Sequence, residues 1–103
     1  MDRIEKLKEF IAADPTDNFS KHALALEYIK VGEDKIARTF FEEILQQDPA
    51  YVGTYYHLGK LLERNGEVKS ALKVYQEGMI QAQKSGNAHA FGELRSAYEE
   101  LDD

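Results

Sequence analysis

Three histidines, the adjacent glutamates Glu42 and Glu43 and a Ser-Gly-Asn stretch are the residues of this 103-residue chain whose types invite a chemical reading. The imidazoles of His22, His57 and His89 change charge near neutral pH and could ligate a metal. No HxxxH spacing and no carboxylate at ligand spacing accompanies them, so they are read as surface or packing side chains, and no metal or cofactor is expected. Glu42 and Glu43 are neighbours in sequence, and a helix points such neighbours in different directions, so they cannot form a close acid pair. Ser85-Gly86-Asn87 falls in a connection between helices, without the glycine-rich context of a phosphate cradle. The chain has no cysteine, which removes thiol catalysis, thiolate metal sites and disulfides. With no nucleophile beside a base, no paired carboxylates and no phosphate loop, no catalytic residues are expected and the chain is not read as an enzyme.

The bulk properties narrow the remaining options. Hydrophobic residues make up 43% and charged residues 31%, an ordinary balance for a folded domain. Thirteen Lys and Arg against nineteen Asp and Glu leave a net charge of −6, which repels nucleic acid and anionic membrane surfaces. The chain starts Met1-Asp2-Arg3-Ile4-Glu5-Lys6, already charged and amphipathic, and contains no apolar run of about 18 residues. No nucleic-acid or membrane partner is expected, and a cytoplasmic location is the default.

The elements that position these side chains follow from a period of 34. Asp14-Pro15 recurs as Asp48-Pro49, Gly32 as Gly66, Ala37 as Ala71, Phe41 as Tyr75, Leu24 as Leu58, and Ala25 as Gly59. Between these marks apolar residues repeat at helical spacing, as at Leu24, Tyr28 and Val31, or Ile36, Phe40 and Ile44. Gly32 and Gly66 end the periodic stretches, where positive φ costs glycine little. Thr16 and Asp17 supply oxygens to cap a helix beginning near residue 18, and Pro49 suits the first turn of the next. The pattern predicts six helices, at 2–13, 18–31, 34–47, 51–64, 68–84 and 88–101. Ala25 and Gly59 would meet Ala37 and Ala71 where paired helices approach, with Leu24, Leu58, Phe41 and Tyr75 filling the space around them. A larger side chain at Gly59 would overpack that seam.

These residues are similar to the tetratricopeptide repeat (TPR), whose pattern asks for an aromatic, Leu-Gly, Tyr, Ala, an aromatic and Pro. The unit 18–51 carries Leu24-Ala25, Tyr28, Gly32, Ala37, Phe41 and Pro49; the unit 52–85 carries Tyr55, Leu58-Gly59, Gly66, Ala71 and Tyr75. Lys21 stands where the first unit would have its leading aromatic, with Phe19 expected to substitute. Leu62 replaces the Tyr of the second unit, and Ala82-Gln83 replace its Asp-Pro, so that helix should run on toward Lys84. Residues 1–15 match the second helix of a truncated unit, with Leu7 at the place of Phe41 and Phe10 at that of Ile44. Residues 88–103 match a first helix through Phe91, Leu94 and Tyr98, after a two-residue insertion, and would cap the array. The resemblance implies an all-α, α-α superhelix, a TPR solenoid of about six antiparallel helices in one domain spanning 1–103, with two full repeats and two flanking half-repeats.

The resemblance also implies the function: a non-catalytic module that binds a partner protein or peptide in a concave groove lined by the first helix of each pair. Mapped onto this chain, the peptide-binding groove comprises Phe19, His22, Leu26 and Lys30 of the first repeat, Tyr56, His57, Lys60 and Arg64 of the second, and His89 of the last helix, with Ala23, Ile29, Gly53, Glu63, Glu93 and Ser96 beside them. One end is apolar and aromatic and the other cationic, which suits a peptide with an apolar anchor and an acidic group. The chaperone-tail clamp known in this family is not matched, because His22, Leu26 and His57 stand where its Lys and Asn residues would be. The alternative is a self-assembling scaffold or homodimer module. Arg95 occupies a place where a small residue would admit another helix, which opposes end-to-end stacking and leaves a monomer or a side-by-side homodimer. The acidic end Glu99-Glu100-Leu101-Asp102-Asp103 reads as a solubilising terminus, since negative charge there opposes the helix dipole.

Overall fold

The structure is a computed structural model that describes residues 2–103. Six helices form: α1 (Arg3–Ala13), α2 (Asn18–Lys30), α3 (Asp34–Gln47), α4 (Gly53–Arg64), α5 (Val68–Lys84) and α6 (Ala88–Leu101), with no strand among the described residues. None of these helices is long and apolar enough to cross a membrane. They gather into two compact units, one ending at Gln47 and the other beginning at Asp48.

In the first unit α2 packs on both α1 and α3. Leu7, Ala23 and Leu24 form a buried cluster, against which Ile4, Ile11, Tyr28 and Phe40 pack. Ala25, Ala37, Phe41 and Ile44 are fully buried, as the seam required. Ala23, expected beside the groove, is buried in that cluster instead. The expected substitution of Phe19 for the leading aromatic does not occur, because Phe19 is 73% exposed. Lys21 fills the place itself: it is 3% exposed, its stem lies in the core, and its ammonium donates to Gln47 Oε1 at 3.1 Å with Glu43 at 3.9 Å.

In the second unit α4, α5 and α6 pack on one another. Tyr75, Leu61, Leu62 and Leu94 are buried in its core. Gly59 faces the Tyr75 ring so closely that a Cβ would overlap it. Gly78 is a second close approach, where a Cβ would lie 2.7 Å from Tyr55 Cβ and 2.9 Å from Leu94 Cδ1.

The connections repeat as hydrogen bonds. The Asp14 carboxylate accepts from the N–H of Thr16 at 3.0 Å and its carbonyl from the N–H of Asp17 at 3.0 Å; Asp48 does the same for Ala50 at 3.1 Å and Tyr51 at 3.0 Å. Asp-Pro is therefore a turn, with proline at its second position. Pro49 consequently precedes α4 rather than entering its first turn. Residues 51–52 only lead in, through bonds to Thr54 N–H and Tyr55 N–H three residues on, so the helix begins at Gly53. Asp17 caps α2 by accepting from the N–H of Ser20 at 2.9 Å and its hydroxyl at 2.6 Å, and the hydroxyl bond and then the backbone bond hold its carboxyl below the usual range. Thr16 takes no part in that cap, since its hydroxyl donates to Asp14. The other connections turn at Gly32 and Gly66, both at φ +81°, each followed by an N–H bonded to a carbonyl five residues back. Gly86 repeats the device at φ +70°, with the N–H of Asn87 donating to Ala82 at 2.9 Å. This glycine turn stands in for Asp-Pro and lets α5 run to Lys84.

Candidate functional site

The predicted groove residues divide between the two units. On α2, Phe19, His22, Leu26 and Lys30 follow one another by three or four residues and so share a helix face. Phe19 projects into solvent, whereas His22 and Leu26 are half-buried; the His22 ring lies tilted, 5.5 Å from the ring of Phe41. Lys30 is exposed but its ammonium sits 3.0 Å from Glu27, which also meets Arg3 at 3.5 Å. The α2 face is thus apolar and aromatic, and Lys30 enters it already paired.

On α4 the structure brings Tyr56, His57 and Lys60 together. The Lys60 ammonium lies over the Tyr56 ring, 5.6 Å from its centroid, and the His57 ring meets Tyr56 edge-on at 5.7 Å and 88°. Lys60 is fixed from the other side by Glu63 at 3.6 Å, and Glu63 in turn accepts the hydroxyl proton of buried Tyr75. A chain of contacts therefore runs from the core of the unit to its surface, and sets the ammonium over the ring. Burial, followed by the hydrogen bond and charge of Glu63, raises the Tyr75 phenol well above its ordinary value, so it remains a donor to that carboxylate. Burial also lowers the imidazole of His57, against an opposing pull from Glu93 on α6. At neutral pH His57 is consequently an uncharged, aromatic wall beside Tyr56. Arg64 lies one turn beyond Lys60 and is exposed, and His89 is exposed in the first turn of α6.

The chemistry available on α4 is recognition through an aromatic face and a positioned cation. A cation over a partly exposed ring contributes about 0.5–1 kcal/mol and orients the side chain as well. Glu63 tempers the positive charge expected from Lys60. The fixing role of Glu63 went unread in the sequence, although its spacing of three from Lys60 was the available signal. Among the described residues no group of three His, Asp or Glu is arranged to hold a metal ion. A cleft of about 280 Å³ lies at the turn between α5 and α6, lined by Ala82, Gln83, Gly86, Asn87, Ala88 and Phe91.

Comparison with known proteins agrees with the helical-repeat fold. Residues 37–101 match the tetratricopeptide repeat family. A TPR repeat-containing protein of Pseudomonas aeruginosa is 24% identical over 99 residues, which cover 96% of this chain and 94% of that protein. The crystal structure of a tetratricopeptide repeat domain protein from Salinibacter ruber is 40% identical, with a TM-score of 0.80 and coverage of 84% of this chain and 96% of that one. A tetratricopeptide repeat and J domain-containing co-chaperone of Cryptococcus neoformans is 33% identical over 70 residues, 65% of this chain and 13% of that protein.

Proposed function

Because the chain belongs to the tetratricopeptide repeat family, whose fold generally mediates protein–protein interaction, we propose that it is a non-catalytic module that binds an extended peptide segment of a partner protein. The reading is carried by one observation, the Lys60 ammonium held over the Tyr56 ring by Glu63 on the face of α4. An apolar side chain of the peptide would lie against Tyr56 and His57, and an acidic group would take the outer side of Lys60 and reach Arg64. Phe19 and Leu26 give α2 an apolar surface of its own. The likeness to a co-chaperone covers 13% of that protein and does not carry its activity over, and His22, Leu26 and His57 do not supply a chaperone-tail clamp.

The test is selection from a random peptide library on the wild-type protein and on Tyr56→Ala/Lys60→Glu. Wild type should enrich sequences that place an apolar residue near Asp or Glu, and the double variant should lose those sequences while keeping its helical circular dichroism. Undiminished capture by the variant would move the site off α4.

A further inference from the structure

The two whole repeats make the same seam twice. In the second helix of each, Ala37 and Ala71 are fully buried; in the first, Ala25 is fully buried and Gly59 leaves room for the Tyr75 ring. The helices of the half-repeats, α1 and α6, carry the same positions. Counting back 34 residues from Ala37 along α1 reaches Arg3, and matching Phe91, Leu94 and Tyr98 to Tyr55, Leu58 and Leu62 puts Arg95 at the place of Gly59. Both arginines are exposed, at 63% and 62%; Arg3 is paired with Glu27 and Arg95 with Glu99, each at 3.5 Å.

α1 is a second helix and α6 a first helix, so each presents the half of a seam that the other would complete. Apolar surface is present on both halves. Phe10 is 51% exposed where Ile44, its equivalent 34 residues on, is fully buried. Ile44 lies between Glu43 and Gln47, which both reach Lys21 in the first turn of α2, so the same register would seat Phe10 of a second copy at the start of α6. The cleft lined by Asn87, Ala88 and Phe91 is at that place. In such a joint Arg95 would take the place of Gly59, where even a Cβ meets the Tyr75 ring, and Arg3 the place of fully buried Ala37, so that two like charges would be stripped of water.

We propose that Arg3 and Arg95 are end stops that prevent copies of this chain from joining head to tail, α6 of one to α1 of the next. The proposal stands apart from the peptide site on α4. It is tested by sedimentation velocity over a concentration series on wild type and Arg3→Ala/Arg95→Ala. Wild type forms no head-to-tail chains. The double variant self-associates at least about a hundredfold more tightly, and grows beyond dimers, since a joint between unlike faces leaves one of each free. Adding Phe10→Ala reverses that association, and Arg3→Lys/Arg95→Lys behaves as wild type. Where the double variant loses its fold, mixing the two single variants supplies one arginine-free seam, and heterodimers form. A folded double variant as dispersed as wild type, association that survives Phe10→Ala, single variants that do not pair, or wild-type chains growing beyond dimers each overturns the proposal.

Discussion

Gly59 is the residue on which the packing of α4 against α5 depends most directly. Alanine is the better helix former by about 1 kcal/mol, and on an open helix surface that preference decides the outcome. Gly92 on α6 has such an environment, with nothing near the position of an added Cβ, so Gly92→Ala should stabilise by about 0.5–1 kcal/mol. At Gly59 the added methyl overlaps the ring of Tyr75, which is fully buried and tied by its hydroxyl to Glu63, so the ring has nowhere to retreat. Gly59→Ala should therefore destabilise by roughly 1–3 kcal/mol despite the propensity gain, and urea midpoints of the two variants should move in opposite directions. Gly59 was legible because the period pairs it with Ala25, which marks a position that must stay small. Gly78 makes a comparable approach to Tyr55 and Leu94, but the period pairs it with Ile44, so nothing in the repeat announced it. Lys21 was misleading for a related reason: the pattern gives a residue type for the site, whereas the core accepts any side chain with enough apolar length and a partner for its end.

At the scale of elements, the helices were read from periodicity and the places where they stop from turn chemistry, and the two differ in legibility. α3, α5 and α6 lie at 34–47, 68–84 and 88–101 as read, because a glycine turn or a polar cap bounds each of them. The start of α4 lies at Gly53, two residues beyond the expected 51, because the carbonyls of Tyr51 and Val52 bond N–H groups only three residues on and merely lead into the helix. The turn before α6 shows how one device replaces another. Without Asp-Pro, Gly86 reverses the chain and Asn87 caps the next helix by accepting from the N–H of Ala90 at 3.0 Å. Asn87→Ala should cost about 0.5–2 kcal/mol, and Asn87→Asp, which preserves the acceptor, much less. Thermal melts of the two variants measure the difference, and faster amide exchange at Ala90 in the alanine variant alone would locate it at the cap.

For the whole molecule, the repeat predicts how stability is distributed as well as how the chain folds. Repeat proteins draw their stability from neighbouring elements, so a local defect is felt first by the helices that share a core with it. Each unit here has a buried core of its own: Leu7, Leu24, Phe41 and Ile44 in the first, Tyr55, Leu62, Tyr75 and Leu94 in the second. The Asp48-Pro49 turn belongs to the second, since the hydroxyl of Tyr55 donates to the Pro49 carbonyl at 2.7 Å. Gly59→Ala damages only the second core directly. Native-state hydrogen exchange on that variant should show protection falling by about tenfold or more in α4, α5 and α6, the equivalent of 1.4 kcal/mol, with a smaller loss in α1 and α2. An equal loss in all the helices would mean that the chain opens as one cooperative body. The period of 34 would then describe how the fold is assembled and not how its stability is shared.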